Sequence, residues 1–276
     1  MKRKISKVLI ASICLNAIML LMLCGVAYYK HEGIKRRIEK LFSHEVVSEK
    51  NLKQFNKEPY EFSNGCIETG NEERIKILFL GNSLTYTGVP EEEPDKERRG
   101  LTSTSKEKDY AHQLMKMLNE KKKIDIDYSV LNISTFERTF KDTAFDYSQL
   151  EKCVAKNPDY LIVQIGENIS NEDMINYSEE LEKQYAQLLA NFPNSIKIIC
   201  IPFWPDKNKQ NVITKIAVDN NVYLVDLSHL GNGIDKKNYA SSYRKYKQPG
   251  VGEHPGDYGM RNIANNLFTV INCTMK

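Results

Sequence analysis

The chain has 276 residues, 41% of them hydrophobic and 27% charged, with a formal net charge of +3. That is enough apolar material for one globular domain plus an appendage. The charge is unevenly spread: residues 1–40 hold nine Lys/Arg against two Asp/Glu, which leaves residues 41–276 at −4. A mildly acidic body lacks the basic face that nucleic-acid binding uses, which argues against that class of function. The basic flanks suit anionic lipid headgroups better.

The first element is apolar. From Val8 to Tyr29 run 22 residues without a charge, enough to cross ~30 Å of hydrocarbon as a helix. Gly25-Val26-Ala27 offers small residues to a signal peptidase, so a cleaved signal is the competing reading. The length of the run and the following Tyr28-Tyr29-Lys30 favour a retained transmembrane anchor. Basic residues lie on both sides, so the positive-inside bias nearly cancels. A short basic N-terminus before one hydrophobic run resembles a signal-anchor, which puts the rest of the chain outside the cell membrane. The expected division is anchor 1–30, polar stalk 31–72 (partly helical around Ile34–Leu41) and globular domain 73–276.

From Ile75 the pattern alternates. Strands are predicted at Ile75–Leu80, Ile126–Leu131, Tyr160–Ile165, Ile196–Ile201 and Val222–Val225. Helices are predicted near Lys106–Lys122, Tyr147–Lys156, Met174–Asn191, Asn208–Asp219 and Asp257–Phe268. Continuous apolar strands between amphipathic helices imply α/β architecture, a three-layer αβα sandwich with a parallel sheet covered on both faces. Ligands of such sheets bind at the carboxyl ends of the strands. Glu91–Gly100 reads as a charged surface loop bordering that edge.

Four cysteines lie outside the apolar run: Cys66, Cys153, Cys200 and Cys273. They show no Cys-x-x-Cys pair and no metal-ligand spacing. Cys200 belongs to a strand and is expected in the core. A Cys66–Cys273 bridge between the two ends of the domain is conceivable.

Three short stretches carry chemistry. Gly81-Asn82-Ser83 follows the first strand. It is not a P-loop, since the lysine and the glycine spacing are missing, nor a Gly-x-Ser-x-Gly elbow, because Thr85 stands where the second glycine belongs. Ser83 is therefore either a turn cap or a nucleophile. Gly166-Glu167-Asn168 follows a middle strand, and an asparagine amide can aim a neutral donor at an oxyanion. His254-Pro255-Gly256-Asp257 precedes the last helix, where a histidine with a pKa near 6.5 can act as general base.

Together, Gly-x-Ser, Gly-x-Asn and His-Pro in this order resemble the SGNH (GDSL-type) hydrolases over residues 74–270. Asn132-Ile133-Ser134-Thr135-Phe136-Glu137-Arg138 and His254-Pro255-Gly256-Asp257-Tyr258-Gly259-Met260 are similar to a bacterial branch of that family. The resemblance implies a flavodoxin-like fold and an esterase with no metal or organic cofactor. Together with the external location it points to O-acetyl groups on a surface glycan, with lipids and small esters left open as substrates. It implies Ser83 as nucleophile, His254 as base, and Asn168 with the Ser83 N–H as oxyanion donors. Gly166, Glu167, Ser134 and Glu137 border the hole. The family's glycine donor has no counterpart in Asn132–Arg138, so Ser134 or Glu137 is expected to supply a backbone N–H.

The chain departs from the family three residues before His254, where Val251 replaces the usual aspartate. A backbone carbonyl, Glu167 or Glu253 must then orient the imidazole. Asp226-Leu227-Ser228-His229 has the missing Asp-x-x-His spacing but not the terminal-helix context. An O-acyltransferase, with a sugar hydroxyl in place of water, and an inactive glycan-binding module are the alternative functions.

Overall fold

The computed structural model describes residues 62–68, 70, 73–88 and 97–275. The expected anchor, and most of the expected stalk, lie outside the described residues. Among the described residues no helix is long and apolar enough to cross a membrane.

All five predicted strands form, and a sixth joins them. The strands are β1 (Phe62–Ile67), β2 (Arg74–Gly81), β3 (Asp125–Asn132), β4 (Tyr160–Gln164), β5 (Ile196–Ile201) and β6 (Tyr223–Asp226), in the sheet order β1-β3-β2-β4-β5-β6. β1 runs antiparallel to β3 with Phe62 opposite Leu131, and every other pairing is parallel. Counting only the parallel strands in chain order gives 2-1-3-4-5, the flavodoxin-like winding. Its switch point lies between β2 and β4.

The expected stalk therefore extends too far. Phe62–Ile67 lies inside the 31–72 segment yet pairs with Ile126–Leu131 of β3. Its sequence, Phe-Ser-Asn-Gly-Cys-Ile, reads as polar linker because an edge strand is only half covered and needs no continuous apolar run.

The inner strands β2, β3, β4 and β5 carry apolar residues on both faces because both faces are buried, whereas β6 at the far edge is partly exposed. Ile77, Phe79, Tyr128, Val130, Ile162, Ile198 and Cys200 point to one core. Their neighbours Leu78, Leu80, Leu131, Leu161, Val163, Ile199 and Ile201 point to the other. This period-2 split is what a pleated strand imposes. The first core is covered by α1 (Tyr110–Lys122) and by the last helix, Asp257–Thr274. The second is covered by α2 (Ser134–Thr139), α3 (Glu151–Val154), α4 (Asn171–Asn176), α5 (Ser178–Ala190) and α6 (Lys207–Asp219). A short turn of helix, α7 (Pro249–Gly252), precedes the last helix, α8. The described residues thus form three layers, helices–sheet–helices.

Helix starts follow local chemistry. Asp109, Ser170 and Asp206 accept from the N–H groups of His112, Asp173 and Lys209 at the starts of α1, α4 and α6, as N-caps do. α2 was not predicted, since six residues are too few to show a helical period.

Two further expectations are corrected. The surface loop 91–100 reaches into the interior at its far end: Arg99 is 1% exposed and donates through Nε to the Ser103 carbonyl at 2.6 Å. Gly100 permits this approach, because a Cβ there would stand 2.6 Å from the Leu84 carbonyl oxygen. Cys66 and Cys273 are free thiols. Cys66 is exposed and instead lies beside Glu68 and Arg74. Cys200 is fully buried, as expected.

Gly81 is required where β2 ends. A Cβ there would meet the Thr85 Oγ1 at 1.8 Å, and Thr85 is fully buried. Gly81→Ala should lower stability by about 1–3 kcal/mol, the usual cost of forcing extra volume into a packed site. Thermal unfolding of the purified chain checks this, and an unchanged Tm would contradict it.

Candidate active site

The site occupies the carboxyl edge of the sheet at the switch point between β2 and β4. The turn after β2 is built around Asn82. Its carbonyl accepts from the N–H groups of Thr85 and Tyr86, both at 3.0 Å, and its side-chain oxygen accepts from Leu84 N–H at 3.1 Å. Asn82, Leu84 and Thr85 are buried while Ser83 is half-exposed. The Ser83 carbonyl is tied down by the Leu101 N–H at 2.9 Å. The hydroxyl does not cap a backbone group of the turn. It lies 3.3 Å from His254 Nε2.

His254 comes from the loop between α7 and α8. Its N–H donates to the Val251 carbonyl at 3.1 Å, and its carbonyl accepts from Ala240 N–H at 2.8 Å. Nδ1 lies 2.9 Å from the Gly250 carbonyl oxygen. A carbonyl only accepts, so Nδ1 carries the proton and neutral Nε2 offers its lone pair to Ser83. Of the orienting groups expected for His254, the one in contact with Nδ1 is a backbone carbonyl, that of Gly250. Neither candidate acid fills the role: Glu253 is exposed, and the Glu167 carboxylate is held by other donors. His229 is also exposed, while Asp226 accepts from the N–H and hydroxyl of Ser228. The Asp-x-x-His spacing there is unrelated to Ser83.

The turn after β4 carries Asn168. Its side-chain nitrogen donates to Glu137 Oε2 at 2.6 Å, and its backbone N–H to Glu137 Oε1 at 3.1 Å. Gly166 N–H also donates to Glu137 Oε1, at 2.6 Å. Gly166 has φ +123°, and a Cβ there would approach Pro202 Cγ to 2.8 Å, so the turn demands glycine. These bonds show how the residues expected to border the hole are engaged. The Gly166 N–H is used internally, and the Ser134 N–H donates to Asn132 Oδ1 at 2.9 Å. Glu137 takes part through its carboxylate, an acceptor.

Residues that sequence reasoning passed over connect the turns. The Asn82 side-chain nitrogen donates to Glu137 Oε1 at 3.1 Å and to Glu167 Oε2 at 2.8 Å. Gln164 Nε2 donates to Glu167 Oε1 at 2.5 Å, and Phe203 N–H to the same oxygen at 2.9 Å. Tyr110 donates its hydroxyl proton to Thr85 Oγ1 at 2.8 Å, and Thr85 donates in turn to Gln164 Oε1 at 3.1 Å. The available signal was Gln164, a buried amide ending the otherwise apolar run Tyr-Leu-Ile-Val. Burial raises the Glu167 pKa and the neighbouring Glu137 charge raises it further.

Burial lowers the His254 pKa below its ordinary 6.5, against the upward pull of its bonds to Gly250 and Val251. Trp204 contributes to that burial, its ring standing edge-to-face with the imidazole at 5.2 Å. Among the described residues, no group of three His, Cys, Asp or Glu side chains is arranged to hold a metal ion.

No protein-family model matches the chain, and no curated protein does. Several solved structures are similar to it. A family 3 carbohydrate esterase from Clostridium thermocellum is 20% identical, with 73% of this chain and 97% of that one covered and a TM-score of 0.47. A lipase/acylhydrolase from Enterococcus faecalis is 14% identical, with 73% and 97% covered and a TM-score of 0.48. A psychrotrophic esterase from Pseudoalteromonas sp. is 16% identical, with 71% and 96% covered and a TM-score of 0.46. At these values the likeness is one of overall chain path.

A serine and a neutral imidazole in contact, beside an anchored amide donor, are equipped for acyl transfer. Ser83→Ala and His254→Ala should each lower kcat by ~10³-fold or more, as losses of nucleophile or base do in serine hydrolases. His229→Ala should stay near wild type. The lowered His254 pKa has a definite sign: the base stays neutral, hence active, as pH falls through 6.5. A kcat/KM profile on an aryl acetate should therefore lose its acidic limb only below that pH, and a limb at or above pH 7 would contradict the assignment.

Proposed function

We propose that the domain is an SGNH-type serine esterase that removes acyl groups, O-acetyl foremost, from a carbohydrate through an acyl-enzyme. The observation that carries this reading is the Ser83–His254 contact with the second imidazole nitrogen on the Gly250 carbonyl. Ser83 Oγ attacks the ester carbonyl as Nε2 takes its proton. The tetrahedral oxyanion is held by the second N–H of the Asn168 amide and by the Ser83 N–H, each such donor being worth ~3 kcal/mol. Collapse expels the alcohol, which receives the proton from Nε2. Water then enters, gives its proton to His254, and releases the acid.

Val251 would by itself favour the inactive glycan-binding module. The Gly250 carbonyl removes that motive, because it fixes the tautomer that the base needs. Transfer of the acyl group to a sugar hydroxyl uses the same first step and differs only in what attacks the acyl-enzyme. The carbohydrate substrate rests on the sequence resemblance and on the proposed placement of the domain outside the cell membrane. That placement rests in turn on the 22-residue apolar run before it.

The full chain in detergent should release acetate from an acetylated polysaccharide, and a fluorophosphonate should label Ser83, as mass mapping of the adduct would show. Active enzyme labelled elsewhere, or not at all, would sink the reading. Acetylated sugar formed in preference to free acetate, when an acceptor is added, would turn the assignment to an acyltransferase.

A further inference from the structure

We infer that the Glu137 carboxylate positions the Asn168 amide as oxyanion donor; this rests on the acyl-enzyme reading above. Glu137 stands on α2, directly after β3, and is 2% exposed. Its two oxygens accept four hydrogen bonds: from Asn168 Nδ2 at 2.6 Å, Gly166 N–H at 2.6 Å, and Asn168 N–H and Asn82 Nδ2 at 3.1 Å each. An ionised carboxylate offers about four acceptor sites and no donor, so the group is satisfied as a buried charge must be.

The acceptor-only character matters for catalysis. An asparagine amide can turn over and exchange its oxygen for its nitrogen at little cost in shape. Turned the wrong way, Asn168 would present a lone pair to a developing oxyanion. A carboxylate at 2.6 Å admits only the nitrogen end, through a charge-assisted bond about twice as strong as a neutral one. One N–H is held by Glu137, and the second N–H on the same nitrogen is left for the substrate. The bond to Asn82 joins this arrangement to the turn carrying Ser83. Donor and nucleophile are thereby referenced to one buried group. Glu137 touches no substrate atom and acts through Asn168, as a positioning residue.

A double-mutant cycle on the full chain tests this, with kcat, KM and melting temperature measured for Glu137→Gln, Asn168→Ala, the double variant and Ser83→Ala. Glutamine keeps the shape but brings an N–H₂ group among donors. Glu137→Gln should lower kcat by ~10²-fold or more with KM within about threefold, the signature of a lost transition-state donor. In the Asn168→Ala background it should change kcat by less than about threefold, because its target is gone. A purely structural role would instead lower both backgrounds equally. Equal losses, or a Glu137→Gln enzyme at full kcat, overturn the inference while Ser83→Ala remains inactive and the esterase reading stands. Turnover by Ser83→Ala removes the esterase reading and this inference with it. Should Glu137→Gln not fold, the wild-type chain labelled with [15N]asparagine serves instead. One Asn168 side-chain proton should resonate far downfield of its partner, and two ordinary amide protons would overturn the inference.

Discussion

One side chain joins the parts of this edge of the sheet. The Asn82 nitrogen has two hydrogens and gives one to Glu137 and the other to Glu167. Two carboxylates side by side in a weakly polar interior repel one another and lose hydration. Asn82 stands between them as a shared neutral donor. With Gln164, Phe203 N–H, Gly166 N–H and Asn168 completing the donor set, both acids keep their acceptor sites filled. Removing any donor would leave an unsatisfied buried charge, which costs far more than the bond contributes. The turns after β2 and β4 and the start of α2 are therefore interdependent, and Ser83 sits on one of them.

His254 is held on a different principle. A serine-hydrolase aspartate does two things: it selects the imidazole tautomer, and it stabilises the imidazolium by its charge. The Gly250 carbonyl does the first and supplies only a dipole for the second. Burial of the imidazole, with Trp204 against its ring, works against the charged form and lowers the pKa. The result is an imidazole that remains neutral over a wider range toward acid but is a weaker proton acceptor. Ala240 N–H, Gly256 N–H and the Thr102 hydroxyl tie the segment around His254 to its neighbours.

The chain determined by itself whatever depends on local pattern. Leu78-Phe79-Leu80 and Leu161-Ile162-Val163 are apolar without interruption because both sides of the sheet are covered, so strands, layers and their carboxyl edge were legible. Gly81-Asn82-Ser83, Gly166-Glu167-Asn168 and His254-Pro255 were legible too, since each sits where a strand or helix begins or ends. The tertiary structure alone decided what depends on meeting across sequence. β1 carries no apolar run and is a strand only because β3 offers it a ladder. Glu137 was expected at the hole only through its backbone N–H, yet four donors from two distant turns surround its carboxylate, and no pattern within Asn132–Arg138 encodes them. The acceptor for His254 is the Gly250 carbonyl, and every residue has a carbonyl. Side chains that a strand or turn must carry leave a mark in the sequence, whereas a backbone group acquires its role only from the fold that points it.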